Sequence, residues 1–521
     1  MHGYLSKRFF LTMTTIDLSK LIAQMQQPDF YPHAVDNIEL VQTHASVVFL
    51  TGDYAYKIKK SVDYGFLDYS TLDKRKRFIE TELRLNKKVA PELYLEVISI
   101  SDIDNILTLN NSENIVEYAL KMRQFSQESL FSNLLTAGKL SYDRLIELGK
   151  TVAQFHAGAE TNEYISSFGT VDKIKAAFIE NYRQSQKYIG IQTKEQFEAT
   201  KAYTDRFFDE RKDLFETRRD RHKIKECHGD LHLKNVCLWQ DKIQLFDRIE
   251  FNESFRFVDT MYDVAFTVMD LSARGKPNFA NAFLNSYLEY SGDWTGLRVL
   301  PLYLTRQAYV RAKVNSFLLD DPQIEKAEKQ QAKQTASNYY RQAYQYTQTK
   351  SGSLIMMSGL SGSGKSTVAK SIARSKEAIQ IRSDAVRKHL AGIALDESGT
   401  DSIYTSETTQ KTYDCLLELG ILLAKEGYTV ILDAKYDRLS LRQPVITQAR
   451  YLNIPLKIVY CTAPMSVLCD RLNQRQNDIS DAGANLIANQ KANAEDFTTA
   501  EQKYVITIDT QTNWQEKLNN I

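Results

Sequence analysis

Cysteine is scarce and scattered: the 521 residues hold five, Cys227, Cys237, Cys415, Cys461 and Cys469. None form the close pairs of a zinc site, and the odd number argues against a disulfide framework. They read as reduced packing residues of a cytoplasmic protein. Charge of one sign is missing too. Lys plus Arg (66) nearly cancels Asp plus Glu (65), so no global field draws the chain to nucleic acid or an anionic membrane, although a local basic patch stays open. No apolar run approaches the length of a membrane span. The opening residues Met1 to Met13, with Lys7, Arg8, Phe9, Phe10 and Leu11, hold too short an apolar patch for a signal peptide. They read as a disordered lead or an upstream start, with the lead extending to residue 30. There is no internal repeat and no low-complexity tract.

The chain does have ordinary globular composition, 43% apolar and 25% charged, and a length that calls for two to four domains. Its firmest motif is Gly359, Leu360, Ser361, Gly362, Ser363, Gly364, Lys365, Ser366, Thr367, which fits G-x-x-x-x-G-K-[ST] without a gap. The apolar run Leu354 to Ser358 before it reads as a buried strand and Val368 to Ala373 after it as a helix. Strand, glycine loop and helix form the context a phosphate cradle needs. Backbone N–H groups and the helix N-terminus face phosphate oxygens, Lys365 reaches the terminal phosphates, and Ser366 can ligate Mg2+. Downstream, Ala378 to Arg382 reads as a strand leading to Asp384 and Arg387, and an acid at the carboxyl end of a parallel strand sits where ligands bind. The buried run ending at Asp433 supplies the acid that acts on Mg2+ directly or through water. Leu456 to Cys461 is the fourth strand, followed by a helix with Arg471 and Arg475 four apart on one face.

Upstream, Ile38 to Val41, Ser46 to Leu50 and Tyr54 to Lys59 read as strands, and Lys57 and Lys59 share one face of the last. A helix from Leu72 to Val89 places Glu82 on its apolar stripe with Phe78, Leu85 and Val89. A charged helix edge would explain that acid by itself, but the lysine-bearing strand supplies the partner a buried carboxylate needs. Leu93 to Leu107 reads as two strands and Ile115 to Met122 as another. Mostly helical sequence follows, in which His156 is a satisfied helix histidine and the cations Arg306, Arg311 and Lys313 read as a basic helix rim. The loop from Cys227 to Asn235 crowds His228, Gly229, Asp230, His232 and Asn235 together. Strands on either side of a turn at Gln240 to Lys242 would draw Asn235 and Asp247 towards each other, and three oxygen donors near one point suit Mg2+ and a hydroxyl awaiting deprotonation.

The segment His228-Gly-Asp-Leu-His-x-x-Asn235 with Asp247 resembles the catalytic loop and metal-binding aspartate of the aminoglycoside phosphotransferase family, relatives of the protein kinases, over roughly Ile38 to Tyr340. The resemblance implies a two-lobed fold in which Asp230 is the catalytic base and Asn235 and Asp247 hold Mg2+. It further implies that Lys57 holds the α/β-phosphates, paired with Glu82 or Glu80, and that Glu117 to Lys121, including Tyr118 and Ala119, form the hinge beside adenine. Lys59 shares the face, but Lys57 is favoured because Tyr56 and Ile58 then match the family's strand. Two departures fit the small-molecule branch: Gln42 to Ser46 has no glycine, and Arg248 and Ile249 follow Asp247 where protein kinases have Phe-Gly. Asp259 and Asp263 resemble the acids that brace the loop, although a helix N-terminal role serves Asp259 equally well.

Residues 353 to 521 are similar to AAA_33-type P-loop kinases, a group that includes relatives of polynucleotide kinase, gluconate kinase and zeta-toxin-like enzymes. By that likeness Asp384 orients or deprotonates the acceptor hydroxyl, Arg387 holds substrate, and Arg471 and Arg475 form a lid. The expected fold is therefore α/β and α+β: a kinase-like domain over 31–345, a linker at 346–353, and a P-loop domain with a parallel, helix-flanked sheet over 354–521. The expected activity is ATP- and Mg2+-dependent phosphotransfer at two sites to small-molecule or nucleotide-like acceptors. Two alternatives stay open: one module senses nucleotide for the other, or the P-loop module is a zeta-toxin-like or polynucleotide-type kinase. No pattern in the acceptor-facing stretches identifies the acceptor.

Overall fold

A computed structural model describes residues 16–322, 324–399, 401–474, 479 and 487–521. The opening lead and Arg475 lie outside the described residues. Contacts divide the chain into two compact units, Met1–Lys139 with Glu226–Val258, and Leu140–Lys225 with Asp259–Ile521.

The first unit is built on an antiparallel sheet. Its strands are β1 (Glu39–Gln42), β2 (Ser46–Leu50), β3 (Tyr54–Lys59), β4 (Tyr94–Ile103), β5 (Ile106–Leu109) and β6 (Ile115–Arg123), in the order β1-β2-β3-β6-β4-β5. Alternation along β3 sorts its side chains. Tyr56 and Ile58 enter a core with Val47, Phe49, Ile98, Ile100 and with Leu21 and Met25 of the helix Leu18–Met25, which leaves Lys57 and Lys59 on the opposite face. That face meets helix α1 (Leu72–Lys87), capped by the Thr71 hydroxyl, with Asp73 in its first turn and Arg84 and Lys87 in its last. Its buried stripe is Leu72, Arg75, Ile79, Glu82 and Leu85.

The same unit holds a hairpin, β7 (Val236–Trp239) paired with β8 (Lys242–Leu245). Gln240 and Asp241 both take positive φ, 49° and 63°, the two-residue geometry whose twist matches that of the strands it joins.

The second unit joins helices to a parallel sheet: β9 (Ser353–Ser358), β10 (Ile379–Arg382), β11 (Thr429–Asp433), β12 (Leu456–Thr462) and β13 (Val505–Asp509), ordered β10-β11-β9-β12-β13. Ile355, Met357, Ile431, Val459 and Ile508 form its core with Val368, Ala369 and Ile372. The fold class is as expected, α/β with α+β. The unit boundary is not at 346–353, however. Helix α2 (Pro277–Ser291) bonds to β10 through Asn281 and Asn285, so helices from the front of the chain share a unit with the P-loop sheet.

The buried His156 ring meets Asp263 at 3.2 Å and Tyr287 at 3.0 Å, Arg306 lies over the rings of Phe178 and Tyr262, and Lys313 donates to Asn181 and Gln184. All five cysteines are free thiols. No helix among the described residues is long and apolar enough to cross a membrane.

Candidate active sites

In the first unit the two lysines of β3 converge on one acid. Lys57 Nζ donates to Glu82 Oε1 and to Asp247 Oδ1, both at 2.7 Å, and Lys59 Nζ donates to Glu82 Oε2 at 2.7 Å and to Glu250. Glu250 also accepts from Tyr69 Oη. The acid is Glu82, fully buried, while Glu80 on the outer face of α1 is exposed. Lys57 alone reaches Asp247, whose side chain is 45% exposed. Burial opposes charge on Lys57, yet Asp247, Glu82 and Glu250 outweigh it and hold its ammonium well above the ordinary value. Burial likewise opposes the Glu82 carboxylate, and Lys57 and Lys59 override it.

Asp247 stands in the left-handed region at φ 61°, a conformation that costs free energy and is kept only where its surroundings impose it. Tyr94 Oη accepts the Asp247 N–H at 3.0 Å, and the Arg248 N–H and guanidinium are tied to Asn86, Leu85, Glu226 and Cys227. Burial first, then the neighbouring Asp247 and Glu82 charges, push the Tyr94 phenol far up, so it stays neutral.

The loop before the hairpin is held by its histidine. Nδ1 of the buried His228 accepts the Asp230 N–H at 3.3 Å, which assigns the ring proton to Nε2, donating to Phe246 O at 2.9 Å. A Cβ on Gly229, at φ 88°, would lie 2.5 Å from Phe255 O, so the bend before Asp230 requires glycine. Asn235 Nδ2 donates to Asp230 O at 3.0 Å and to Asp230 Oδ2 at 3.2 Å, and His232 Nε2 lies 3.3 Å from Asp230 Oδ2. Phe246 N–H donates to Asn235 O at 3.1 Å, so the hairpin brings the two ends together as expected. With Nδ2 committed to Asp230, Oδ1 is the atom Asn235 offers a cation. Hard oxygen donors from Asn235 and Asp247 fit Mg2+.

One group is placed differently. Glu117, Tyr118 and Ala119, expected beside adenine, lie inside β6: Ala119 pairs with both Ile58 and Ile98, while Tyr118 and Glu117 pair with Ser99 and Ile100 on the β4 side. The Tyr118 N–H donates to Glu117 Oε1 at 3.0 Å, and the buried Glu117 carboxylate also accepts from Arg75 Nε at 2.8 Å. Burial pushes Glu117 up to about 7 against the pull of Arg75.

In the second unit the glycine loop runs from β9 into helix α3 (Lys365–Lys376). Gly359, Gly362 and Gly364 take positive φ, and a Cβ on Gly362 would lie 2.7 Å from Leu468 O. Lys365 Nζ donates to Leu360 O at 2.8 Å. Burial lowers the Lys365 ammonium, with Asp433 and Asp384 pulling the other way, so phosphate arriving there meets a cation that gains by pairing. Asp433 is buried at the end of β11, its Oδ2 accepting from Gln380 Nε2 at 2.8 Å. Ser366 lies in the first turn of α3, and Asp384 in the first turn of helix α4 (Ser383–Ala391). The cradle, Lys365, Ser366 and Asp433 fit a Mg2+-bound nucleotide.

The arginines serve the protein itself. Arg471 Nη1 donates to Thr510 Oγ1 at 2.8 Å and to Gly362 O at 3.3 Å, and Nη2 to Thr510 O at 3.1 Å. Leu468 and Leu472 of the same helix pack with Leu360, so Arg471 points at the loop backbone and is not placed as a lid. Arg387 is buried, donating to Ile403 O and Thr409 Oγ1 and lying over the Tyr404 ring; this state does not present it to an acceptor.

Residues 354–497 match the AAA_33 family model, described as an AAA domain. The C-terminal part is an AAA_33 P-loop domain. An uncharacterized protein of Mycobacterium tuberculosis, Rv2004c, is 28% identical over 470 residues, 89% of this chain and 92% of its own length; so long a match necessarily enters both the front part and the AAA_33 domain. Among solved structures, choline kinase from Cryptosporidium parvum is similar over 63% of this chain and 94% of its own, at 11% identity and TM-score 0.38. The APS kinase CysC of Mycobacterium tuberculosis is similar over 33% of this chain and 95% of its own, at 18% identity and TM-score 0.25.

Sequence reasoning missed Glu250, Tyr69, Tyr94, Gln380 and Thr510. A signal existed only for Glu250, an acid held between Ile249 and Phe251 three residues beyond Asp247.

Proposed function

We propose that the chain is an ATP-dependent phosphotransferase with two ATP/Mg2+ sites, each passing the γ-phosphate to a hydroxyl of a small-molecule or nucleotide-like acceptor. The observation that supports it most is the Lys57, Glu82 and Asp247 ion-paired triad, set in the same unit as the Asp230 and Asn235 loop. The second site, at Lys365 and Asp433, stands on a different fold.

In the front site Glu82 holds Lys57 extended so that its ammonium meets the α/β-phosphates. Asp230, oriented by Asn235, accepts the acceptor hydroxyl proton as the new O–P bond forms and the bond to the β-phosphate oxygen breaks, releasing ADP. In the AAA_33 domain Lys365 exchanges its bond to Leu360 O for phosphate, and Asp384 takes the acceptor proton. Mg2+, when bound by Asn235 and Asp247 in one site and by Ser366 and Asp433 in the other, neutralises charge on the phosphates. Arg387 would turn to the acceptor only after leaving Ile403, and Arg471 would steady the cradle.

The test is phosphate transfer over a metabolite extract with Asp230→Ala and Lys365→Ala. Each variant is expected to lose one set of products by on the order of a hundredfold or more and to keep the other. Loss of all transfer in either variant contradicts two independent sites. Unchanged products in one of them favours a module that senses nucleotide.

A further inference from the structure

Strand β10 is an edge of the parallel sheet, and an edge strand presents N–H and C=O groups that no ladder satisfies. Helix α2 supplies the partner. Asn285 Oδ1 accepts the Gln380 N–H at 2.7 Å, and Asn285 Nδ2 donates to Ala378 O at 3.0 Å. Asn281 Nδ2 donates to the same carbonyl at 2.9 Å. One carboxamide thus serves the C=O and the N–H on either side of Ile379, as a neighbouring strand would. It fixes where residue 380 stands.

Gln380 carries that placement inward. The residue is 7% exposed, and because a carboxylate only accepts, its Nε2 must face Asp433 Oδ2, 2.8 Å away. A second tie lies one turn further along α2. Glu289 Oε1 is 3.4 Å from Arg382 Nη1, and Glu289 O accepts from His389 Nε2 at 2.7 Å. Arg382 and His389 bracket Asp384 on α4. Helix α2 is itself anchored, with Ser286 Oγ donating to Ile146 O at 2.6 Å and Tyr287 Oη bonded to His156.

We propose that Asn285 and Glu289 are positioning residues of the AAA_33 site: Asn285 acts through Gln380 on the rotamer of Asp433, and Glu289 acts on the start of α4 and hence on Asp384. This rests on the reading of Lys365 and Asp433 given above. Helix α2 lies within the stretch that resembles the kinase-like family, so a helix from that part of the chain sets the Mg2+ affinity of the P-loop site. Outer-shell partners of a metal acid are typically worth 10–100-fold in metal affinity or activity.

The test is the Mg2+ dependence of Lys365-dependent ATP consumption by the full chain, taken as the difference between each protein and the same protein carrying Lys365→Ala. Asn285→Ala is expected to raise the Mg2+ midpoint about tenfold while leaving the ATP KM at saturating Mg2+ unchanged. Gln380→Leu is expected to match it, and Asn285→Ala added to Gln380→Leu is expected to change the midpoint no further. Gln380→Leu, which leaves α2 and its bonds to β10 in place, decides the matter if the alanine variant does not fold. A parent-like midpoint in both Asn285→Ala and Gln380→Leu, or effects that multiply in the double variant, overturns the proposal. If Lys365→Ala removes no ATP consumption at all, the reading of the P-loop site falls, and this proposal with it.

Discussion

Glu82 is the residue on which the front site turns, because both lysines of β3 spend a bond on it and neither is surrounded by water. Removing one partner of a buried ion pair costs about 3–5 kcal/mol, chiefly through the charge left behind. Glu82→Gln is therefore expected to lower unfolding free energy of the first unit by about that amount, read from urea denaturation followed by a probe in β3 or α1. The pH dependence has a definite sign. The folded carboxyl is held below its ordinary value of 4.5, so its stabilising contribution is fully present above pH 4.5 and is lost as pH falls below it. The parent should lose stability in that acid range more steeply than Glu82→Gln, and parallel curves would contradict the assignment.

At this scale much of the site was legible, and the exceptions have physical causes. Period-2 alternation places Lys57 and Lys59 on one face and the helical stripe carries Glu82, but the choice between Glu82 and Glu80 comes from the structure, where Glu82 is buried against both lysines. Which lysine meets the metal acid depends on Asp247, 190 residues away, and no local pattern encodes that distance. Arg471 shows the same limit. Helical spacing fixes its face, but its target, Thr510, is set by how the end of the chain returns past the glycine loop.

The elements explain why these residues stay in place. The β7–β8 hairpin joins Asn235 to Asp247 through a turn whose two residues both adopt positive φ, and neither is glycine. A left-handed non-glycine residue costs roughly 1–2 kcal/mol, of which glycine's extra unfolded freedom returns about half. Gln240→Gly should therefore raise stability by about 0.5–1 kcal/mol without altering activity, measured as a shift in denaturation midpoint. Gly362 permits no such exchange. It takes φ 79°, and a Cβ there meets Leu468 O at 2.7 Å. Gly362→Ala is expected to weaken ATP binding at the AAA_33 site by on the order of tenfold or more, measured by calorimetric titration in a Lys57→Ala chain, while binding at the front site, titrated in a Lys365→Ala chain, stays unchanged.

Hairpin, sheet and glycine loop were readable because turn chemistry and alternation are local. The hinge was not. Ile115 to Met122 has the composition of a strand, and the structure places Glu117 to Ala119 inside β6, with Ala119 paired on both sides and Glu117 and Tyr118 on the β4 side.

For the whole molecule, the sequence pattern suggested a boundary at 346–353, yet the compact units divide elsewhere. Ties between the front helices and the P-loop sheet include Asn281 and Asn285 on β10, Arg211 and Arg298 on Glu426, and Tyr428 on Leu297, made by residues whose codes carry no such message when read alone. The central claim remains that one chain holds two unrelated devices for binding ATP, a lysine strand with metal acids and a glycine cradle. Calorimetric titration with a non-hydrolysable ATP analogue and Mg2+ tests it most directly. The account predicts two nucleotides per chain in the parent and one in each of Lys57→Ala and Lys365→Ala; a single nucleotide in the parent, or none in either variant, would contradict it.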